Sequence, residues 1–337
     1  MRRSLALSCL LATLLTGVAG AQTIPPLPDL TSYALMKSDG TRAVPTSVAQ
    51  AADQLKDFDV VVLAELHDHA GNHLAEMQLL SAIFARAPNL ALSLEQFERD
   101  TQKVVDDYLA GRIGEEVMKK NARAWPNYDE AYRPLVEFAK EHGLPVIAAE
   151  VPTSIVRCVG QEGPAYLTRL NGDKRNWVAA ELHTQDGPYR DKFMRFLNED
   201  PLHGSDANQS PAERAASDQR GFAAQVSRDD TMAESIFLHA QRNPGRKIVH
   251  VTGAFHAEAF LGTVERLKLR APNLKVAVVA PVEVANPQSP SVSASDAASG
   301  NFLVLLHALP KSYISDAEQK AAIAGFNFRG RRADCSS

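Results

Sequence analysis

Residues 59–66 (DVVVLAEL) form a Val-rich apolar run of strand length. A run with so little polar surface to turn toward water belongs in a parallel sheet covered on both faces. Parallel neighbours need a crossover, and the sequence supplies one. Gly71 and Asn72 give a turn and a helix cap, then Leu74, Met77, Leu80 and Phe84 recur at helical spacing before Pro88. Residues 90–94 (LALSL) are the next strand and complete a βαβ unit, whose crossover is expected to be right-handed. The alternation continues with a helical region at 102–120 broken at Gly111 and Gly114, a helix around 134–141, and a strand at 144–149 that ends on Glu150. Further on come a helix near 232–241, a strand at 247–252, a helix at 257–267, a strand at 274–280 and a last, edge strand at 302–306. This pattern predicts an α/β fold, a mainly parallel sheet with helices on both faces.

The rest of the chain divides around that frame. Residues 1–21 have the parts of a secretory signal: Arg2 and Arg3, an apolar stretch from Leu5 to Leu15, and a small-residue cleavage site at Ala19-Gly20-Ala21. An exported, periplasmic protein is expected. The apolar stretch falls short of the ~20 residues of a spanning helix, and Cys9 has too little apolar length before it for a good lipidation signal. Residues 22–58 read as a Pro-rich arm leading to a short helix at 48–56. The α/β domain is placed at 59–285, with a polar, aromatic-dotted helical insertion at about 160–220, and 286–337 is a low-complexity loop and C-terminal segment. Within the insertion Phe193, Phe196 and Leu197 share a helix face, and 201–211 reads as a loop. The formal charge of -4 carries no basic excess that would call for nucleic acid. Three cysteines without a CxxC pair exclude a disulfide framework and a simple structural zinc site. Cys158 and Cys335 would survive cleavage of the leader, and an oxidising compartment permits a bridge between them without requiring one.

In parallel α/β sheets ligands bind beyond the carboxyl ends of the strands. The expected strands deliver Glu65, His67, Asp68 and His69 there, then Glu95, Glu150 and His256. Imidazole and carboxylate groups gathered this way either ligate a divalent transition metal, which makes its bound water a nucleophile, or act without metal as general base and acid. No HExxH helix motif is present, so ligands would have to come from separate strands.

Three segments in order, Ala64-Glu65-Leu66-His67, Leu94-Glu95-Gln96-Phe97-Glu98-Arg99 and Gly253-Ala254-Phe255-His256, resemble the ChaN family of haem-binding uptake proteins. That family stands within a superfamily that also holds Tiki proteases and erythromycin esterases. The resemblance covers residues 59–279 and includes a full GxxH match at Gly253 and His256, whereas Ala64 replaces the first glycine of the earlier motif. It implies a polar centre of Glu65, His67, Glu95 and His256, read as catalytic residues or as metal ligands, with Arg99 as an anion-binding or orienting partner. It further implies haem as the ligand, a role in haem or iron uptake with partners at the membrane, and tyrosine ligation of the iron. A homodimer is left open. Tyr189, followed by Phe193, Met194 and Phe196, is the candidate axial ligand, since tyrosinate favours ferric iron. The runner-up function is a metal-dependent or Glu/His hydrolase of peptide or ester bonds, and a third reading makes the centre purely structural.

Overall fold

The computed structural model describes residues 23–199, 209–325 and 333–336. The expected signal at 1–21 and most of the loop at 201–211 lie outside the described residues. Eight strands form one sheet: β1 (Tyr33–Ser38), β2 (Ala43–Pro45), β3 (Val60–Glu65), β4 (Leu90–Glu98), β5 (Val146–Glu150), β6 (Lys247–Gly253), β7 (Val276–Val284) and β8 (Phe302–His307). Their order is β2-β1-β8-β7-β3-β6-β4-β5. Every pairing from β8 to β5 is parallel, and β1 runs antiparallel to both β8 and β2.

Every residue of β3 is buried, and its alternate side chains feed two cores. Val61 and Leu63 pack with Leu79, Leu80 and Ile83 of the helix Ala70–Phe84 and with Leu135 and Val136 of the helix Arg133–Glu141. Val60, Val62 and Ala64 face the other way, onto Met232 and Ile236 of the helix Pro211–Arg242 and Val264 and Leu267 of the helix Thr263–Arg270. Each fully buried Val or Leu side chain contributes about 1.5–3 kcal/mol of apolar transfer energy, so the strand is held by both layers.

Several expectations change. The arm at 22–58 is not merely an arm: it supplies β1 and β2, because Ala34, Leu35 and Met36 are buried against β8. As a result β8 is an interior strand rather than an edge. Strands β3 and β4 are joined in sequence through one helix, yet β6 lies between them in the sheet. The helix read from 232 begins at Pro211 and runs for 32 residues, so the insertion and the domain share it. The helix read from 257 begins at Thr263, after a turn in which Ala259 and Phe260 adopt φ values of 56° and 61°. Among the described residues no helix is long and apolar enough to cross a membrane.

Candidate functional site

The carboxyl ends of β3 and β6 open onto a cleft of about 640 Å³, whose lining includes Glu65, His67, Asp68, Phe193, Phe196, Gln225, Phe255 and His256. Glu65, the last residue of β3, is buried, and its Oε1 accepts three hydrogen bonds: from His67 Nδ1 at 2.7 Å, Tyr132 Oη at 2.8 Å and Gln96 Nε2 at 2.9 Å. The bond to Nδ1 fixes the His67 ring. Its side chain is 39% exposed and lies edge-on to Trp125, with ring centroids 5.0 Å apart. Burial works against protonation of His67, but the hydrogen bond to Glu65 and the charge of Glu95 prevail and raise its pKa.

Glu95 enters from β4 at the point where pairing with β5 loses register after Leu94. Its Oε2 accepts from Thr252 Oγ1 at 2.6 Å and from the Gly253 backbone N–H at 2.7 Å, and its Oε1 lies 3.7 Å from His256 Nε2. Burial opposes ionisation, yet the His256 and His67 charges together with those hydrogen bonds hold the carboxyl down to about 2. A side chain at Gly253 would displace the His67 ring, because a Cβ there would stand 2.6 Å from His67 Nε2.

His256 sits in the turn after β6. Its Nδ1 is 2.9 Å from Asp229 Oδ1, and Asp229, fully buried on the helix Pro211–Arg242, also accepts from Thr263 Oγ1 at 3.0 Å and Tyr189 Oη at 2.5 Å. Burial disfavours the imidazolium, but Asp229 and Glu95 outweigh it and push His256 up to about 9. Gly262, at φ +57°, passes so close that a Cβ would lie 2.5 Å from the His256 carbonyl oxygen and 2.8 Å from Asp229 Oδ1. The strained turn therefore serves to bring His256 and Asp229 together.

Glu65, His67 and His256 thus line one cleft, and Glu95, from β4, is buried beside them, 3.7 Å from His256. Two other sequence candidates are placed elsewhere. Arg99 turns away from the cleft: its guanidinium binds Ser235, Glu234 and the carbonyls of Asn176 and Thr231, anchoring the 3-10 turn Arg99–Thr101 to the long helix. Tyr189 stands behind His256 with 2% exposure, its hydroxyl donated to Asp229, and burial pushes its pKa well above the ordinary value. A phenol held in this way presents no phenolate to iron; its place is to fix Asp229. Among the described residues the one group of three whose ligand atoms approach within 4.8 Å of one another is Glu65, His73 and Glu76, not Glu65, His67, Glu95 and His256. Glu150 pairs with Arg228 at 2.7 Å.

Sequence reasoning assigned no role to Asp229, Tyr132, Gln96 or Glu76. The readable signal for Glu76 was its spacing of three from His73 on one helix, a pair that shares a face.

Comparison with known proteins places this geometry. The sequence profile of the family described as "Haem-binding uptake, Tiki superfamily, ChaN" matches residues 51–267. Among solved structures, ChaN of Campylobacter jejuni, reported with cofacial haem binding, superposes with a TM-score of 0.61 at 12% identity over 82% of this chain and 98% of that one. An erythromycin esterase, EreC, reaches a TM-score of 0.48 at 12% identity over 84% of this chain and 99% of that one. Protein RETICULATA-RELATED 5, chloroplastic, of Arabidopsis thaliana is 28% identical over 173 residues, which are 50% of this chain but only 22% of that protein. At 12% identity the likeness to the Campylobacter jejuni protein speaks for the fold alone. The profile spans well over half of the sequence, and with it the chain belongs to the ChaN family of haem-binding uptake proteins in the Tiki superfamily.

Proposed function

We propose that this chain is an exported, periplasmic protein that takes haem into the cleft at the ends of β3 and β6 and serves haem or iron uptake. The observation that carries the reading is the make-up of that cleft. Phe193, Phe196, Phe255 and Leu309 offer apolar surface, with Phe196 55% exposed, and a half-exposed imidazole, His67, stands beside them. An apolar macrocycle with a metal at its centre is what such a lining fits. Because Glu65 holds His67 by Nδ1, the Nε2 atom is the one left to meet a ligand. The disulfide between Cys158 and Cys335 agrees with an oxidising compartment and so with export.

Hemin titration of the protein without residues 1–21 tests this. A saturable Soret change with one endpoint is expected, and His67→Ala should weaken binding roughly tenfold or more, equivalent to about 1.4 kcal/mol. Tyr189→Phe should leave the Soret position unchanged. Since the His67 pKa is raised, the ring must shed its proton before it ligates, so wild-type affinity should climb as pH rises through neutrality and the His67→Ala affinity should not. Uptake of hemin no greater than by an unrelated globular control would end the proposal.

A second reading rests on a separate observation: two imidazoles, each held by a buried carboxylate, flank the ionised Glu95. His256, protonated near neutrality, is suited to give a proton to a leaving group, and His67 to take one from water. Ester and peptide hydrolysis is then expected to fall at least a hundredfold in His67→Ala and His256→Ala. Equal turnover in the wild type and both variants, with and without Mn²⁺, Co²⁺ or Zn²⁺, removes this reading.

A further inference from the structure

Behind the cleft, Glu65 faces a second polar cluster. While its Oε1 takes three hydrogen bonds, its Oε2 is buried and has none. That oxygen is 3.5 Å from His73 Nδ1, which in turn is 3.0 Å from Glu76 Oε2. Glu65 Oε2 and Glu76 Oε2 both lie against His73 Nδ1. His73 Nε2 donates to the His67 carbonyl at 2.9 Å, an acceptor only, so the proton that can leave this ring is the one on Nδ1. Asn72 Nδ2 donates to Glu76 Oε1 at 2.7 Å, which leaves Oε2. Asn72 is itself fixed by the Leu66 backbone N–H, donated to its Oδ1 at 3.0 Å.

We propose that Glu65 Oε2, His73 Nδ1 and Glu76 Oε2 bind a divalent first-row transition cation such as Zn²⁺, at a site that shares only Glu65 with the residues lining the haem cleft. The three atoms lie within 4.8 Å of one another, and ligands on a tetrahedral ion at 2.0–2.1 Å stand about 3.3 Å apart. The two separations of 3.0 and 3.5 Å bracket that edge. One imidazole and two carboxylates suit a borderline ion better than Ca²⁺ or Mg²⁺, which take oxygen alone. Two carboxylates buried side by side favour a double positive charge between them, and the cation would displace the His73 Nδ1 proton. The carbonyl on Nε2 and the amide on Glu76 are the kind of outer partners that orient metal ligands. A route exists as well: His73 lines a second cleft of about 620 Å³ together with His67, Asp68, Asn127 and Glu130.

The test is Co²⁺ binding to chelator-treated protein, followed by the visible absorption of the bound ion. One equivalent is expected, with affinity that increases as pH rises because a proton must leave. His73→Asn and Glu76→Gln should each weaken binding at least tenfold, and His256→Asn, in the haem cleft, should change it less than twofold. Circular dichroism establishes that each variant is folded. Should neither ligand variant fold, X-ray absorption of the Co²⁺-loaded wild type decides: one imidazole among oxygen ligands supports the site, and two or more imidazoles overturn it. Equal affinity in the wild type, His73→Asn and Glu76→Gln overturns it, as does loss of binding in His256→Asn alone. Hemin binding is read separately, so failure here leaves the haem reading standing.

Discussion

His256 shows how a single side chain takes its properties from what surrounds it. Asp229 and Glu95 raise its pKa from the ordinary 6.5 to about 9 in the fold. A group raised in this way adds stability that is complete below 6.5 and is lost as pH rises through about 9. Glu95 does the reverse: held at about 2 against an ordinary 4.5, it adds stability that is present above 4.5 and disappears as pH falls through 2. The urea midpoint should therefore be greatest between roughly pH 4.5 and 6.5 and decline on the alkaline side, and His256→Asn should flatten the alkaline decline. An undiminished decline in that variant would contradict the pairing. Glu65, Glu95 and His256 were legible in the sequence because strand ends are fixed by apolar runs, and whatever follows such a run is carried to one edge of the sheet. Asp229 was not, because it lies inside a long polar helix and acquires its role only through contacts with His256, Thr263 and Tyr189, far away in sequence. Arg99 followed a strand as closely as His67 does, but its guanidinium found carbonyl and carboxylate partners on the opposite side.

At the scale of elements, the parallel strands were read to within a few residues, since their runs of Val, Ile, Leu and Ala are long and covered on both faces. The antiparallel strands were harder. β2 has three residues, and β1 buries only Ala34, Leu35 and Met36 amid polar neighbours, so no apolar run announced them. The helix Pro211–Arg242 carried its own start signal, a Ser210–Glu213 capping box with Pro211 at the first position. Its polar first half hid that signal, and the apolar spacing became visible only near Met232, where the helix meets the sheet. Glu98, at the far end of β4, illustrates how a strand continues once regular pairing has lapsed: its carboxylate accepts from the Thr153 backbone and hydroxyl and pairs with Arg123.

Across the whole molecule, the bridge between Cys158 and Cys335 joins positions 177 residues apart. It ties the end of the chain to the helix Thr153–Glu162, which packs with Ala223 of the long helix in a third apolar cluster. Closing a loop of that length removes freedom from the unfolded chain, and loss of a native bridge typically costs about 2–5 kcal/mol. The double variant Cys158→Ser with Cys335→Ser should melt roughly 5 °C or more below the wild type, and thiol titration of the oxidised protein without residues 1–21 should find no free thiol. Two reactive thiols in that protein, together with an unchanged melting temperature in the variant, would refute the bridge.

One residue in this architecture answers to two neighbourhoods at once. Glu65 gives one oxygen to His67 on the cleft side and turns the other toward His73. Any replacement at this position disturbs both, so a Glu65→Gln phenotype is ambiguous by construction. Genetic dissection of the protein has to proceed through His67 and His73 separately, and their double variant then measures how strongly the carboxylate links the two.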